Sequence, residues 1–283
     1  MVRRCVPVRR FALVACCAIG MTWSLACDSG KPASSGQSSP ATPSDKPASS
    51  PAPSGTAGQP AQPTPPDHYG DRVVEGVVKL GSALPPPRPI QVTADQVCAR
   101  LHGGKPVFPQ GRDVGADGLL PHVFVYIKRG VDGKYTPPAN PVVLDQRSCI
   151  YVPHVFGILC GQTLEIRNGD PTAHNVHALA KKNEAFNIAQ ANQGAKATKV
   201  FNRPEVMLKI KCDVHGWMEA YAGVLTHPFF AVTADDGAFR IPRLPAGKYT
   251  VEAWHELFGT MSQDVDLSTA ASAKLEFVFK KSP

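Results

Sequence analysis

Val206-Met207-Leu208-Lys209-Ile210-Lys211-Cys212 alternates its side chains, and Asp213-Val214-His215-Gly216-Trp217-Met218 follows without a break. Successive side chains on a strand point to opposite faces. Val206, Leu208, Ile210 and Cys212 are therefore expected on an inner face, with Met207, Lys209 and Lys211 outward. The thiol then points inward where the strand ends. His215 and Met218 follow it at three-residue steps, in a C-x2-H-x2-M string. Upstream, Gln162 to Asn168 alternates in the same way, with Leu164 and Ile166 inward and Glu165 and Arg167 outward. A turn from Gly169 to Ala173 leads into His174-Asn175-Val176-His177. His174 heads the next strand. His177 is its rival, but an odd separation places it on the opposite face of a continuous strand.

One thiolate, two imidazoles and one thioether make a soft, mixed donor set. Structural zinc sites draw on cysteine and histidine and rarely on a thioether. Two His and one Cys with a weak axial Met is the donor set of a mononuclear blue-copper electron-transfer site.

The string, with the upstream His174-Asn175-Val176, resembles the cupredoxins, the amicyanin and plastocyanin group of blue copper proteins in particular. The likeness covers about Cys160 to Leu225, and the loop length is amicyanin-like. It implies His174, Cys212, His215 and Met218 as ligands of one type 1 copper ion. It also implies Asn175 as the residue that pins the ligand loop. A dinuclear site would need a second cysteine in the loop. A multicopper oxidase would flank its cysteine with histidines, and here Lys211 and Asp213 stand there. The expectation is an electron carrier and not an enzyme. Its partners would be redox proteins such as a cytochrome or a dehydrogenase. The ring edge of His215 is expected at the surface, with Gly216 and Trp217 in an apolar docking patch. An exposed His215 would protonate in the reduced state near its ordinary pKa of about 6.5 and stop transfer. Two other functions compete. One is copper delivery, which usually exposes Met- or His-rich ligand strings. The other is a copper-free adhesion or scaffold module.

The chain of 283 residues opens with four arginines in its first ten positions, and its formal charge is +7. Without those arginines the balance falls to +3, which argues against a nucleic-acid binder. An apolar run from Phe11 to Ala26 follows and ends at Cys27. This describes an export signal over residues 1–26. Ser24-Leu25-Ala26-Cys27 resembles a bacterial lipobox, which implies lipidation of Cys27 and a membrane anchor; an ordinary cleaved signal is the alternative. Residues 27–68 are rich in Pro, Ala and Ser, and cannot bury enough apolar surface to fold. They are expected to be a disordered tether with a reach on the order of 35 Å. The location expected is extracytoplasmic, in a bacterial periplasm or cell envelope.

From Tyr69 onward, short β-rich runs alternate with Gly, Pro and Asp-Gly breaks, which predicts an all-β protein of packed sandwiches. Short helices are expected near Ala94 to Leu101 and Lys181 to Gln190. The divisions expected are strands packed on the core over 69–140, a copper domain over 141–228 and a small module over 229–283. Asp236-Gly237-Ala238-Phe239-Arg240-Ile241 and Leu244-Pro245-Ala246-Gly247-Lys248-Tyr249 resemble the carboxypeptidase-regulatory or prealbumin-like β-sandwich family. Four strands are few for such a sandwich, so it is expected to borrow strands from Tyr69 to Val92 or to pack on the copper domain. Export permits disulfides. With Cys212 a ligand, Cys98, Cys149 and Cys160 remain, and a Cys98–Cys149 bridge is the favoured pairing. His154 is expected to be a hydrogen-bonded structural residue.

Overall fold

The computed structural model describes residues 69–280. The expected export signal, the expected lipidation site Cys27 and the expected tether lie outside them. No helix among the described residues is long and apolar enough to cross a membrane.

Among the described residues, sixteen strands and one short α-helix make an all-β architecture. In chain order they are β1 (Arg72–Leu80), α1 (Gln96–Leu101), β2 (Phe124–Arg129), β3 (Val142–Arg147), β4 (Ile150–Val152) and β5 (Val155–Leu159). Then come β6 (Thr163–Asn168), β7 (His174–Ala178), β8 (Phe186–Gln190), β9 (Lys196–Val200), β10 (Glu205–Lys211) and β11 (Glu219–Leu225). The last are β12 (Phe230–Val232), β13 (Ala238–Leu244), β14 (Lys248–His255), β15 (Gly259–Asp266) and β16 (Ser272–Phe279).

These strands form four sheets, ordered β4-β3-β6-β9, β5-β11-β10-β7-β8, β12-β2-β14-β15 and β13-β1-β16. The first two enclose a core of Leu144, Ile166, Val176, Leu208, Ile210 and Val224 among others. The last two enclose a second core around Val74, Ile127, Ile241, Val251 and Phe277. β1 pairs antiparallel with β13 and parallel with β16, so an N-terminal strand sits in the middle of a sheet otherwise made of C-terminal strands. β2 likewise lies between β12 and β14.

A third apolar layer, Phe124, Tyr126, Val155, Leu159, Tyr221, Leu225 and Phe230, joins the two sandwiches. It follows from strand parity. On β5, Phe156 and Ile158 face the first core, while Val155 and Leu159 face this layer. On β2, Val125 and Ile127 face the second core, while Phe124 and Tyr126 face this layer. Strands apolar on both faces are those buried between sheets. Gly157 and Gly223, paired across β5 and β11, admit the rings of Phe230 and Phe124. A Cβ on Gly223 would lie 2.2 Å from the Phe124 ring.

Two local expectations need correction. Lys181 to Gln190 is not a helix: its second half is β8, where Phe186 and Ile188 pack on the first core. Their alternation is a strand pattern. Val206 is exposed rather than inward, because β10 shifts register between Glu205 and Leu208. Glu205 takes the buried place, and its carboxylate accepts hydrogen bonds from the backbone N–H of Lys181, Lys182 and Asn183 at 2.6, 3.0 and 3.1 Å. From Leu208 onward the alternation runs as the sequence reading has it.

Candidate metal centre

His174 is the first residue of β7, and Cys212 directly follows the last residue of β10. These two strands are neighbours in one sheet. The loop from Cys212 to Met218 closes on itself: Cys212 N–H donates to the Met218 carbonyl at 3.1 Å, and Met218 N–H donates to the His215 carbonyl at 2.9 Å. His215 thereby turns back over the end of β10. The result brings Nδ1 of His174 and Nδ1 of His215 within 2.9 Å. Ligand atoms of His174, Cys212 and His215 all lie within 4.8 Å of one another. His174, Cys212, His215 and Met218 are each at most 2% exposed.

Asn175 ties the two segments together. Its Oδ1 accepts from Asp213 N–H at 2.7 Å, Val214 N–H at 3.4 Å and the Cys212 thiol at 3.3 Å. Its Nδ2 donates to Asn187 at 2.6 Å and to Asp213 at 3.0 Å. His215 N–H also points at the Cys212 sulfur, at 3.3 Å. Burial pushes the Cys212 thiol up, but the neighbouring His174 imidazole, Asn175 and the loop N–H groups more than offset this, so the thiol is held below its ordinary pKa. Burial by itself would lower His174. The Asp170 carboxylate and Cys212 outweigh that and bring it up to about 9. The site thus favours the thiolate, the form that binds metal. The rival His177 lies outside this cluster and pairs instead with Asp213, at 3.0 Å.

His215 is not at the surface, contrary to expectation. A segment around α1 covers it. Nε2 of His215 lies 3.1 Å from Oδ2 of Asp95 and 3.6 Å from the sulfur of Cys98. Cys98 and Cys149 form a disulfide. Trp217 lies against the same ring, with centroids 5.0 Å apart, and its Nε1–H donates to the Cys149 carbonyl at 2.9 Å. The protonation of an exposed His215 therefore loses its premise. Gly216 is exposed, Trp217 is half-buried and Val214 is 59% exposed. Cys160 is a free thiol, half-buried.

Asp95 and Asp170 were not singled out in the sequence, although both touch candidate ligand rings. Asp170 stands four residues before His174, in an Asn-Gly-Asp-Pro turn that already needs an Asx side chain. Asp95 caps α1, accepting from Val97 and Cys98 N–H at 2.7 and 3.0 Å. An N-cap residue is legible in sequence; its contact with a residue 120 positions away is not.

His154 is held by acceptors on both ring nitrogens, as a structural residue would be. Its Nδ1 meets the Glu219 carbonyl at 2.9 Å, and its Nε2 pairs with Glu256 across the two sandwiches.

No family model and no curated protein matches the sequence. Among solved structures, a copper-containing nitrite reductase from Thermus scotoductus is 22% identical, with a TM-score of 0.29, over 33% of this chain and 24% of that chain. The match therefore spans about a quarter of the nitrite reductase. A purple cupredoxin from Nitrosopumilus maritimus is 22% identical, with a TM-score of 0.26, over 29% of this chain and 97% of its own. An amicyanin variant in its reduced copper form is 18% identical, with a TM-score of 0.28, over 34% of this chain and 99% of its own. Each likeness takes in about a third of this chain, at identities and scores too low to assign an activity.

Proposed function

We propose that this protein is an exported type 1 copper protein of the cupredoxin kind that carries single electrons between redox partners. The observation that supports this most is the convergence of the two Nδ1 atoms, 2.9 Å apart, with the Cys212 sulfur in the same buried cluster. His174, Cys212 and His215 would hold one copper ion, with Met218 as a fourth, weaker donor. Copper supplies a one-electron couple there. The protein's part is to hold the donors still. Asn175 locks the Cys212 loop to β7, and both flanking strands belong to a packed sheet. Ligands that cannot move on oxidation or reduction lower the reorganisation required for transfer.

With His215 covered, the exit for an electron would run by way of Trp217, which lies against that ring and is half-buried. Gly216 and Trp217 would then form part of the docking surface, together with exposed Val214. The partner would be a cytochrome or a dehydrogenase. In this reading the chain works in a periplasm or cell envelope, and Cys27 carries a lipid that ties it to a membrane. The C-terminal strands, with their carboxypeptidase-regulatory likeness, would serve as support or as a second partner surface.

Burial of all four donors under a disulfide-tied cover speaks against copper delivery, which needs ligands that can be handed over. A copper-free scaffold is separated by colour. Cu(II)-loaded protein should show an intense thiolate-to-copper band in the visible and reversible one-electron voltammetry. A colourless product would remove the proposal.

A further inference from the structure

Both candidate ligand rings turn Nδ1 toward each other and Nε2 toward a carboxylate. Nε2 of His174 lies 3.0 Å from Oδ2 of Asp170, and Nε2 of His215 lies 3.1 Å from Oδ2 of Asp95. Neither carboxylate is free to turn. Asp170 Oδ1 accepts from Ser148 N–H at 2.7 Å, and its Oδ2 also accepts from Cys149 N–H at 2.7 Å. Its own N–H donates to Asn168 Oδ1 at 3.0 Å. Asp95 spends Oδ1 on the first turn of α1, and its Oδ2 also meets the Thr172 hydroxyl at 3.3 Å. The Cys98–Cys149 bridge joins the backbone next to both: Cys98 N–H bonds Asp95, and Cys149 N–H bonds Asp170. The two acids and the cover thus form one cross-linked unit.

We propose that Asp95 and Asp170 are a matched pair of positioning residues: each takes the Nε2–H of one imidazole, leaving both Nδ1 lone pairs free for copper, and together they favour Cu(II) over Cu(I). This rests on the copper reading given above. A ring nitrogen that donates to a carboxylate cannot bind metal, so the other nitrogen must. The bond also makes the imidazole a stronger donor. Two negative charges beside the thiolate, Asp170 buried and Asp95 with its side chain 24% exposed, stabilise the more positive oxidation state, the buried one more strongly because water is excluded from it. The cover formed by α1 is then part of the metal centre and not only a lid, because it delivers Asp95.

The test uses the whole folded protein with Asp95→Asn, Asp170→Asn and Asp95→Ala. All four donors remain, so the visible band should persist in each. Cu(II) affinity should fall by about 10- to 100-fold, as for other residues that orient metal-bound histidines. Cu(I) affinity should fall less. Every tenfold change in the ratio of the two affinities raises the potential by about 59 mV for a one-electron couple. Nitrogen-15 NMR of the diamagnetic Cu(I) wild type should show Nε2–H on both His174 and His215, with slow exchange. That measurement needs no variant and holds even where a variant fails to fold. Nδ1–H on either ring of the Cu(I) protein, or variants with wild-type affinity ratio and potential, would overturn the proposal. A wild type that takes up copper without a visible band would instead sink the copper-carrier reading, while Nε2–H on both rings could still be read in the metal-free protein, where the 2.9 Å contact between the two Nδ1 atoms holds a proton as well.

Discussion

The sulfur of Cys98 lies 3.6 Å from Nε2 of His215, and its disulfide partner Cys149 is 51 residues away in sequence. The bridge therefore fastens the α1 segment over one candidate ligand. In the chain-entropy view, cross-linking a loop of that length stabilises the fold by about 4 kcal/mol. The double variant Cys98→Ser, Cys149→Ser should lose roughly 2–4 kcal/mol in denaturant unfolding. Its Asp95 contact should loosen, so that the Nε2–H of His215 exchanges faster with water. Unchanged stability would show that the cover is held by other contacts.

The layer between the sandwiches depends on two missing side chains. Gly223 faces the Phe124 ring and Gly157 faces Phe230, and those rings lie 5.6 Å apart in a stack. Gly223→Val should cost about 1–3 kcal/mol through overpacking. Gly216→Ala, where a Cβ meets no atom within 4 Å, should change stability by no more than about 0.5 kcal/mol. Equal effects in thermal unfolding would contradict the packing described.

Much of the strand layout was legible, because β1, β6 and most of β10 each alternate or run apolar in ways that strands do. The bend at Glu205 was not, since a register shift leaves no mark in the spacing of Val206-Met207-Leu208. The layered arrangement was hidden for a related reason. Val155-Phe156-Gly157-Ile158-Leu159 is apolar throughout, and such a run does not say which neighbour covers which face. At the site, Cys212, His215 and Met218 share one short loop and were readable together. Asp95 and the disulfide come from a distant segment, and only folding puts them on the His215 ring.

Buried neutral histidines set the acid behaviour of the fold. Burial lowers His227 and His255 to about 4. Each accepts a backbone N–H at Nδ1, from Phe229 at 3.3 Å and Leu257 at 3.1 Å, which requires a neutral ring. Nearby Glu256 raises His255 somewhat, and His154 and His122 lower it further. The unfolded chain binds protons near pH 6.5 and the folded one near 4, so between these values the unfolded state carries more protons. Stability is then full above about pH 6.5 and falls as the pH drops toward 4, by up to about 1.4 kcal/mol per pH unit for each ring. His227→Gln should flatten this slope in denaturant titrations across pH 4–6.5. A slope as steep as that of the wild type would refute the assignment.

Asn175 is expected to act on the loop rather than on the fold as a whole. Its Oδ1 collects Asp213 N–H, Val214 N–H and the Cys212 thiol. Asn175→Ala should leave those groups without their acceptor, at about 1–3 kcal/mol. Hydrogen exchange should quicken at Asp213, and copper should bind more weakly. Protection equal to the wild type would mean that the loop holds itself.

The most direct measurement is the visible spectrum of the Cu(II)-loaded protein beside that of Cys212→Ser. The account predicts an intense thiolate-to-copper band in the first and its loss in the second. A wild type without the band, or a serine variant that keeps it, would contradict the claim that Cys212, His174 and His215 hold copper.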